Sequence, residues 1–153
     1  MVKKIKIYLA GHNGMVGKSI HNYLKKNNIG YIITASKKKL NLENSIKVDK
    51  FIKKNKPNVV INCAGKVGGI LANNKFPTEF LNENIQIQTN LIKSSYFNNI
   101  EHFINLGSSC IYPKNSKQPI KESYLLTGSL EKTNEAYALA KIVGLKMCEF
   151  YNS

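Results

Sequence analysis

Four short runs of apolar residues, separated by stretches with helical periodicity, constrain the fold of this chain more than any other feature. The runs cover residues 5–10, 31–35, 59–62 and 102–106. The helical patterns cover residues 16–26, a segment that begins near Asn41, residues 79–97 and residues 134–151. Strands that are apolar along their whole length are typical of parallel sheets covered by helices on both faces. The pattern therefore predicts an α/β protein with a Rossmann-type, doubly wound parallel sheet.

The helical patterns also predict which side chains face the core. In the first two helices, the apolar residues at helical spacing are Ile20, Tyr23, Leu24, Ile46, Phe51 and Ile52. In the third, they are Phe80, Ile85, Ile87, Leu91 and Ile92. Asn41 is predicted to cap the second helix, because a short polar side chain at that position can accept a backbone N–H.

The length and composition predict one soluble domain that covers residues 1–153. The chain has 153 residues, 42% of them hydrophobic, which is enough to bury a core. No apolar run approaches the roughly 18 residues of a membrane-spanning helix, and the N-terminal residues lack a signal-peptide pattern. Cys63, Cys110 and Cys148 form no CxxC pair, so we expect neither a metal site nor a disulfide framework. We predict a cytoplasmic protein that binds no membrane.

The formal net charge of +14 raises the question of nucleic-acid binding. All 23 basic residues are lysines, however, and they are scattered along the chain. Nucleic-acid surfaces use arginine for bidentate contacts to phosphate and guanine. The lysine excess therefore favours a solvated surface over a nucleic-acid site, and its positive field favours anionic ligands.

A glycine-rich turn follows the first predicted strand and opens the first helix. Its residues, in the spacing G-x-x-G-x-x-G, are Gly11, His12, Asn13, Gly14, Met15, Val16 and Gly17. Glycines at these positions permit a tight turn and let backbone amides approach a pyrophosphate at the positive end of the helix. In this strand–turn–helix context the pattern predicts a dinucleotide cofactor.

The end of the second predicted strand bears on which dinucleotide is bound. An acidic residue there binds the ribose 2′-hydroxyl of NAD. The segment instead contains Ser36 and Lys37 and has no carboxylate. A hydroxyl and a cation suit a 2′-phosphate, which favours NADP(H), although these lysines also fit the general lysine excess.

A tyrosine and a lysine at Y-x-x-x-K spacing lie on the last predicted helix. Tyr137 and Lys141 share one helix face, so the ammonium group is expected to lower the pKa of the phenol and to bind a ribose. Ser108 and Ser109 follow the fourth strand, and one of them can hold a substrate carbonyl while the other caps the turn. Together these residues predict a Ser–Tyr–Lys catalytic group.

Three segments of the chain resemble the GDP-L-fucose synthases, which belong to the short-chain dehydrogenase/reductase superfamily. They are Gly-Ser-Ser-Cys-Ile-Tyr-Pro at 107–113, the glycine-rich stretch 64–70 with Ala-Asn-Asn at 72–74, and residues 125–128 running on to 133–137. The resemblance extends over essentially the whole chain. It implies NADPH-dependent conversion of GDP-4-keto-6-deoxy-D-mannose to GDP-L-fucose, by epimerisation at C3 and C5 and reduction at C4.

The resemblance also implies individual roles. Tyr137 would donate a proton at C4, with Lys141 as its electrostatic partner and ribose ligand. Ser108 would hold the C4 carbonyl, and Cys110 would be the base of the epimerisation once nearby charge favours its thiolate. Residues 64–66, which are Ala64, Gly65 and Lys66, would line the cofactor, and Asn84 would support that loop.

The chain departs from the family pattern at two places. Asn13 stands where many members carry arginine, which removes one expected phosphate contact. The histidine acid of the family, its last sheet strands and most of its GDP-sugar-binding region would follow Ser153, so we predict feeble activity or none for this chain alone. His12, His21 and His102 lie in no pattern that replaces that histidine.

Two other functions remain open from the sequence. One is a related GDP-sugar epimerase/reductase such as a GDP-colitose synthase. The other is an NADP(H)-binding module without catalysis, which the intact Ser108, Tyr137 and Lys141 disfavour. By analogy with the superfamily, the helices at 79–97 and 134–151 predict a homodimer.

Overall fold

The computed structural model describes residues 4–153, and it contains a four-stranded parallel sheet. The strands are β1 (Lys6–Ala10), β2 (Tyr31–Ile33), β3 (Val59–Asn62) and β4 (His102–Asn105), in the order β2-β1-β3-β4. The helices are α1 (Met15–Lys26), α2 (Ser45–Asn55), α3 (Ile70–Lys75), α4 (Pro77–Phe97) and α5 (Glu135–Asn152). The predicted Rossmann-type α/β fold is confirmed. The prediction that the N-terminus lacks a signal peptide rests partly on residues 1–3, which lie outside the described residues.

The chain divides into two compact units. The first consists of the residues up to Gly65 together with Gln86–Leu106, and it holds the sheet, α1, α2 and the second half of α4. The second consists of Lys66–Ile85 and Gly107–Ser153, and it holds α3, the start of α4 and α5.

The core of the first unit lies on both faces of the sheet. Successive residues of β1 alternate between two buried clusters, because side chains along a strand point to opposite faces. Tyr8 and Ala10 belong to the cluster that contains Ile52 of α2 and Leu91 of α4. The other cluster is formed by Ile7, Leu9, Leu24 and Ile61. Helices therefore cover both faces, as predicted for strands that are apolar throughout.

The reversal of strand order next to β1 positions the glycine-rich turn. β1 pairs with β2 on one side and with β3 on the other, and all three strands are parallel. In open parallel sheets, ligands bind at the carboxyl ends of the strands where the order reverses. The loops after Ala10 and after Asn62 both begin at this edge.

Some predicted boundaries and faces are wrong. Asn44, and not Asn41, caps α2: its Oδ1 accepts the amide of Lys47 at 2.9 Å, while Asn41 makes a local turn with Glu43. Val48 and Ile52 are four residues apart on one face of α2 and are buried, whereas Ile46 lies on another face and is 65% exposed.

In α1, Leu24 is buried and Ile20 packs against it, but Tyr23 is 64% exposed. Three of the four strands are also shorter than predicted. β2 ends at Ile33 because its pairing with β1 stops there, at the Tyr8–Ile33 partners.

Within the described range, no helix is both long and apolar enough to cross a membrane. The three cysteines are free thiols and each is partly buried. Among residues 4–153, no group of three or more His, Cys, Asp or Glu side chains is arranged to hold a metal ion.

Candidate functional site

The glycine-rich turn is tightly packed at two of its three glycines. Gly11 has a φ of +77°, which favours glycine, and a Cβ there would lie 2.6 Å from the amide nitrogen of Ala64. A Cβ on Gly17 would overlap the carbonyl oxygen of Gly11. Gly14 is less constrained, and its amide donates to that same oxygen at 3.0 Å. The glycines thus bring α1, the end of β1 and the loop after β3 into close contact.

The N-terminal end of α1 is open to an anion. Gly14 occupies the N-cap position, and among the described residues no side chain caps the helix and no acidic residue lies in its first turn. Met15 and Val16 are exposed at this end. A helix of twelve residues with an uncapped N-terminus presents free amides and a partial positive charge, which together bind phosphate.

His12 and Asn13 complete the turn. Asn13 is exposed. His12 is partly buried, and its Nδ1 is buried with no hydrogen-bond partner among residues 4–153. Its ring lies edge-on to that of His21, with the centroids 6.2 Å apart.

The segment after β2 is shaped by local hydrogen bonds. The carbonyl of Ser36 accepts the amides of Lys39 and Leu40, each at 2.9 Å. Lys37 is exposed and its Nζ lies 3.1 Å from the carboxylate of Glu43. Glu43 was not among the predicted site residues, and its negative charge partly offsets that of the lysine predicted to bind a 2′-phosphate.

A chain of amide side chains joins the carboxyl ends of β3 and β4. Asn62 Nδ2 donates to Asn105 Oδ1 at 2.9 Å, and Asn105 Nδ2 donates to Gln88 Oε1 at 3.2 Å. Asn62 Oδ1 accepts the amide of Ala64 at 3.1 Å, so the chain reaches the residue against which Gly11 packs. The sequence reasoning did not find this network, although an asparagine ending each of two apolar strands was a signal for it.

In the second unit, Asn84 supports the backbone of Lys66, as predicted. Its Oδ1 accepts the Lys66 amide at 2.9 Å, and its Nδ2 donates to the Lys66 carbonyl at 3.0 Å. The side chain of Asn84 is buried. Lys66 Nζ pairs with Glu83 at 2.5 Å and lies 5.7 Å from the centroid of the Phe80 ring.

The second unit also brings Ser108 into contact with Cys110. Ser108 occupies the N-cap position of the 3₁₀ turn Ser109–Ile111. Its Oγ accepts the thiol of Cys110 at an S···O distance of 3.1 Å, and the Cys110 amide at 3.5 Å. Both side chains are partly buried.

Tyr137 and Lys141 lie on α5 in the same unit. Burial raises the pKa of the Tyr137 phenol above its ordinary value of 10.0, and negative charge on Cys110 raises it further. Lys141 is buried, and its Nζ lies 5.7 Å from the centroid of the Tyr137 ring. The expected lowering of the Tyr137 pKa is wrong in direction, because the desolvation of the phenolate dominates. Tyr137 therefore stays a neutral phenol at neutral pH, which suits a proton donor.

The predicted site residues thus form two groups, one in each unit. The first unit brings together Gly11, Gly14 and Gly17 with Ala64, while Lys37 is paired with Glu43. The second unit brings together Ser108, Cys110, Tyr137 and Lys141.

Comparison with known proteins finds relatives that match nearly the whole chain. The GDP-L-fucose synthase of Sinorhizobium fredii is 48% identical over 146 residues, which are 95% of this chain and 46% of that protein. The GDP-L-colitose synthase of Yersinia pseudotuberculosis is 47% identical over 148 residues, 97% of this chain and 48% of that protein. The chain therefore spans about half the length of these curated relatives.

A solved structure and a family model extend the comparison. A GDP-mannoheptose C4 reductase from Campylobacter jejuni, solved with NADP bound, matches with a TM-score of 0.94 at 38% identity, over 99% of this chain and 48% of that chain. The model of the NAD dependent epimerase/dehydratase family matches residues 7–153, from β1 to the end of α5. Since this match includes the glycine-rich turn and the Ser–Tyr–Lys group, the chain belongs to the NAD dependent epimerase/dehydratase family.

Proposed function

We propose that this chain carries the cofactor-binding and proton-transfer residues of an NADPH-dependent GDP-sugar epimerase/reductase. The reaction is the conversion of GDP-4-keto-6-deoxy-D-mannose to GDP-L-fucose. The observation that carries the proposal is the group in the second unit, where Ser108 contacts Cys110 and charge on Cys110 acts on Tyr137. The identity to GDP-L-fucose synthase over nearly the whole chain supports the choice of substrate.

The residues of the first unit fit a dinucleotide phosphate. Gly11 and Gly17 leave no room for a Cβ, and the open N-terminus of α1 offers amides to a pyrophosphate. His12, Asn13, Met15 and Val16 complete this cradle.

Other residues are assigned to the rest of the cofactor. Ser36 and Lys37 would hold the 2′-phosphate, which favours NADP(H) over NAD(H), and the related reductase was solved with NADP. Ala64, Gly65 and Lys66 would line the cofactor after β3. When bound, NADPH supplies the hydride that reduces the C4 carbonyl. In this proposal residues 1–153 form one NADP(H)-binding Rossmann domain.

The side chains of the second unit supply the proton chemistry. Cys110, as a thiolate, removes the protons at C3 and C5, which are acidic because they are α to the C4 ketone. Ser108 donates a hydrogen bond to the C4 oxygen. Tyr137 gives its proton to that oxygen on reduction, in keeping with a phenol whose pKa is raised. Lys141 holds the ribose and faces the Tyr137 ring.

A second candidate is a related GDP-sugar epimerase/reductase, which the identity of 47% to a GDP-L-colitose synthase favours.

We also propose a cytoplasmic homodimer that binds no nucleic acid. α5 leaves Leu139, Val143 and Phe150 exposed, and α4 leaves Tyr96 and Phe97 exposed, so both helices offer apolar surface to a second copy.

The direct test joins residues 1–153 to the C-terminal half of the Sinorhizobium fredii relative and follows NADPH absorbance. The proposal predicts oxidation of NADPH with GDP-4-keto-6-deoxy-D-mannose. The Tyr137→Phe form should bind NADPH equally well and lose at least about a hundredfold in rate. Faster oxidation with the colitose precursor would favour the second candidate. A fusion that binds NADPH and reduces neither sugar would contradict both.

A further inference from the structure

The contact between Ser108 and Cys110 is built by the local backbone. The two residues belong to one 3₁₀ turn, in which the Ile111 amide donates to the Ser108 carbonyl and the Tyr112 amide to the Ser109 carbonyl, each at 3.3 Å. The turn holds Cys110 Sγ at 3.1 Å from Ser108 Oγ. The backbone of the turn therefore places the sulfur and the hydroxyl next to each other.

A serine hydroxyl can serve only one acceptor at a time. It carries one proton to donate and two lone pairs to accept with. When Cys110 is a thiol, its S–H donates to Oγ, as in the structure, and the hydroxyl proton is free for another acceptor. When Cys110 is a thiolate, the same hydroxyl donates to the sulfur, because a charged acceptor makes the stronger hydrogen bond.

We propose that the Ser108 hydroxyl moves with the negative charge, from the Cys110 thiolate to the enolate oxygen of the keto sugar, during each proton abstraction. The inference rests on the proposed function. As the C–H bond α to the ketone breaks, its proton forms the S–H bond, and the electron pair stays on the substrate as an enolate. The new thiol donates to Oγ, and the released hydroxyl donates to the enolate oxygen. The Ser108 hydroxyl thus stabilises the Cys110 thiolate before proton abstraction and the substrate enolate after it.

The titratable groups that face Cys110 agree with this sequence of events. Negative charge on Cys110 raises the pKa of Tyr137 in α5. The ammonium group of Lys141 faces the Tyr137 ring. Since a negative sulfur raises the pKa of Tyr137, the phenol stays protonated while the thiolate is present. Tyr137 therefore does not compete as a second base, and it keeps its proton for the later reduction.

The test measures how fast iodoacetamide alkylates Cys110 as a function of pH in the 153-residue chain, with peptide mapping to separate Cys63 and Cys148. In the Ser108→Ala form, the pH of half-maximal rate should rise by about one unit, since the thiolate loses a charge-assisted hydrogen bond. The plateau at high pH should rise about threefold, because a thiolate with a higher pKa is the stronger nucleophile. Well below both midpoints, the two effects together correspond to a reaction roughly three- to fourfold slower than in the wild type.

Three variants serve as controls. Ser108→Thr keeps a hydroxyl and should follow the wild-type curve, as should Ser109→Ala, which removes an exposed neighbouring hydroxyl. Ser108→Gly also removes the hydroxyl and suits an N-cap position, so it replaces the alanine form if that form does not fold. The alkylation of Cys148 reports whether each variant is folded.

Curves for Ser108→Ala or Ser108→Gly that superimpose on the wild type would overturn the inference. So would a change in the plateau alone, since that indicates altered access to the thiol. The readout needs neither cofactor nor turnover. Failure of NADPH binding in the wild type would therefore contradict the proposed function while leaving the alkylation result to stand by itself.

Discussion

The side chain of Asn62 donates a 2.9 Å hydrogen bond to that of Asn105, at the carboxyl ends of two neighbouring parallel strands. Asn62 is fully buried, and its own oxygen accepts the amide of Ala64. Gly11 packs directly against the backbone of Ala64. The two asparagines therefore fix the position of the backbone that the glycine-rich turn contacts.

Substitution of Asn62 tests this arrangement. Asn62→Leu preserves the side-chain size but leaves the Ala64 amide and the Asn105 oxygen unpaired, so it should lower the free energy of unfolding by about 3 kcal/mol. A displaced turn should also weaken NADPH binding at least about fivefold. Urea denaturation and cofactor fluorescence measure the two effects. Asn22→Ala, at an exposed position of α1, should change neither, and equal effects of both substitutions would refute the role of Asn62.

A substitution at Gly17 tests the close approach of α1 to the end of β1. The Cβ of Gly17→Ala would overlap the Gly11 carbonyl oxygen, so the turn must open. We expect a loss of roughly 2–4 kcal/mol in the free energy of unfolding and a loss of NADPH binding. The matched control is Gly69→Ala, since a Cβ there has no atom within 4 Å; it should cost less than about 1 kcal/mol. NADPH binding retained by Gly17→Ala would contradict the assignment of this turn.

The ion pair of Lys37 with Glu43 predicts how the cofactor preference can be changed. Glu43→Gln should strengthen NADPH binding about threefold, because it removes the carboxylate charge next to Lys37 that opposes a 2′-phosphate. Lys37→Ala should weaken NADPH binding by a similar factor and leave NADH binding unchanged. Paired titrations with the two cofactors, at low and high salt, measure the difference. Lys38→Ala removes an exposed neighbouring charge and is the control. If Lys38→Ala weakens NADPH binding as much as Lys37→Ala does, the loss reflects overall charge and contradicts a specific role of Lys37.

Tyr8 predicts the behaviour of the fold at high pH. Burial raises the pKa of its phenol well above the ordinary value of 10.0, so the folded state keeps a proton that the unfolded state loses. Stability from this group is therefore complete below pH 10 and falls as the pH rises above it. Urea denaturation between pH 9 and pH 11 should show a smaller decline for Tyr8→Phe than for the wild type. Parallel declines would contradict burial of this phenol.

The sequence predicts the architecture well because the signals for it are local. Each strand is a continuous apolar run, and the glycine spacing lies directly between a strand and a helix. Tyr23 and Ile46 are apolar but exposed, because each lies beside the helix face that packs against the sheet, and apolar character alone does not distinguish the two positions. Asn44 competes with Asn41 as a cap, and periodicity alone does not choose between them.

The parts of the site that the sequence did not predict depend on distant contacts. Asn62, Asn105 and Gln88 meet only after the sheet and α4 have packed, so the asparagines at the strand ends indicate polar groups there but not which side chains they contact. The direction of the Tyr137 pKa shift depends on burial, which helical spacing does not report. Asn84 was predicted through the family resemblance, and its hydrogen bonds to Lys66 confirm its role in supporting the loop.

The most direct test of the account is a fluorescence titration of the 153-residue chain with NADPH and, separately, with NADH. The glycine-rich turn, the open end of α1 and Lys37 predict saturable binding of NADPH that is tighter than that of NADH and weakens with salt. Absence of saturable binding for both cofactors would contradict the account and leave only the fold that the chain shares with its family.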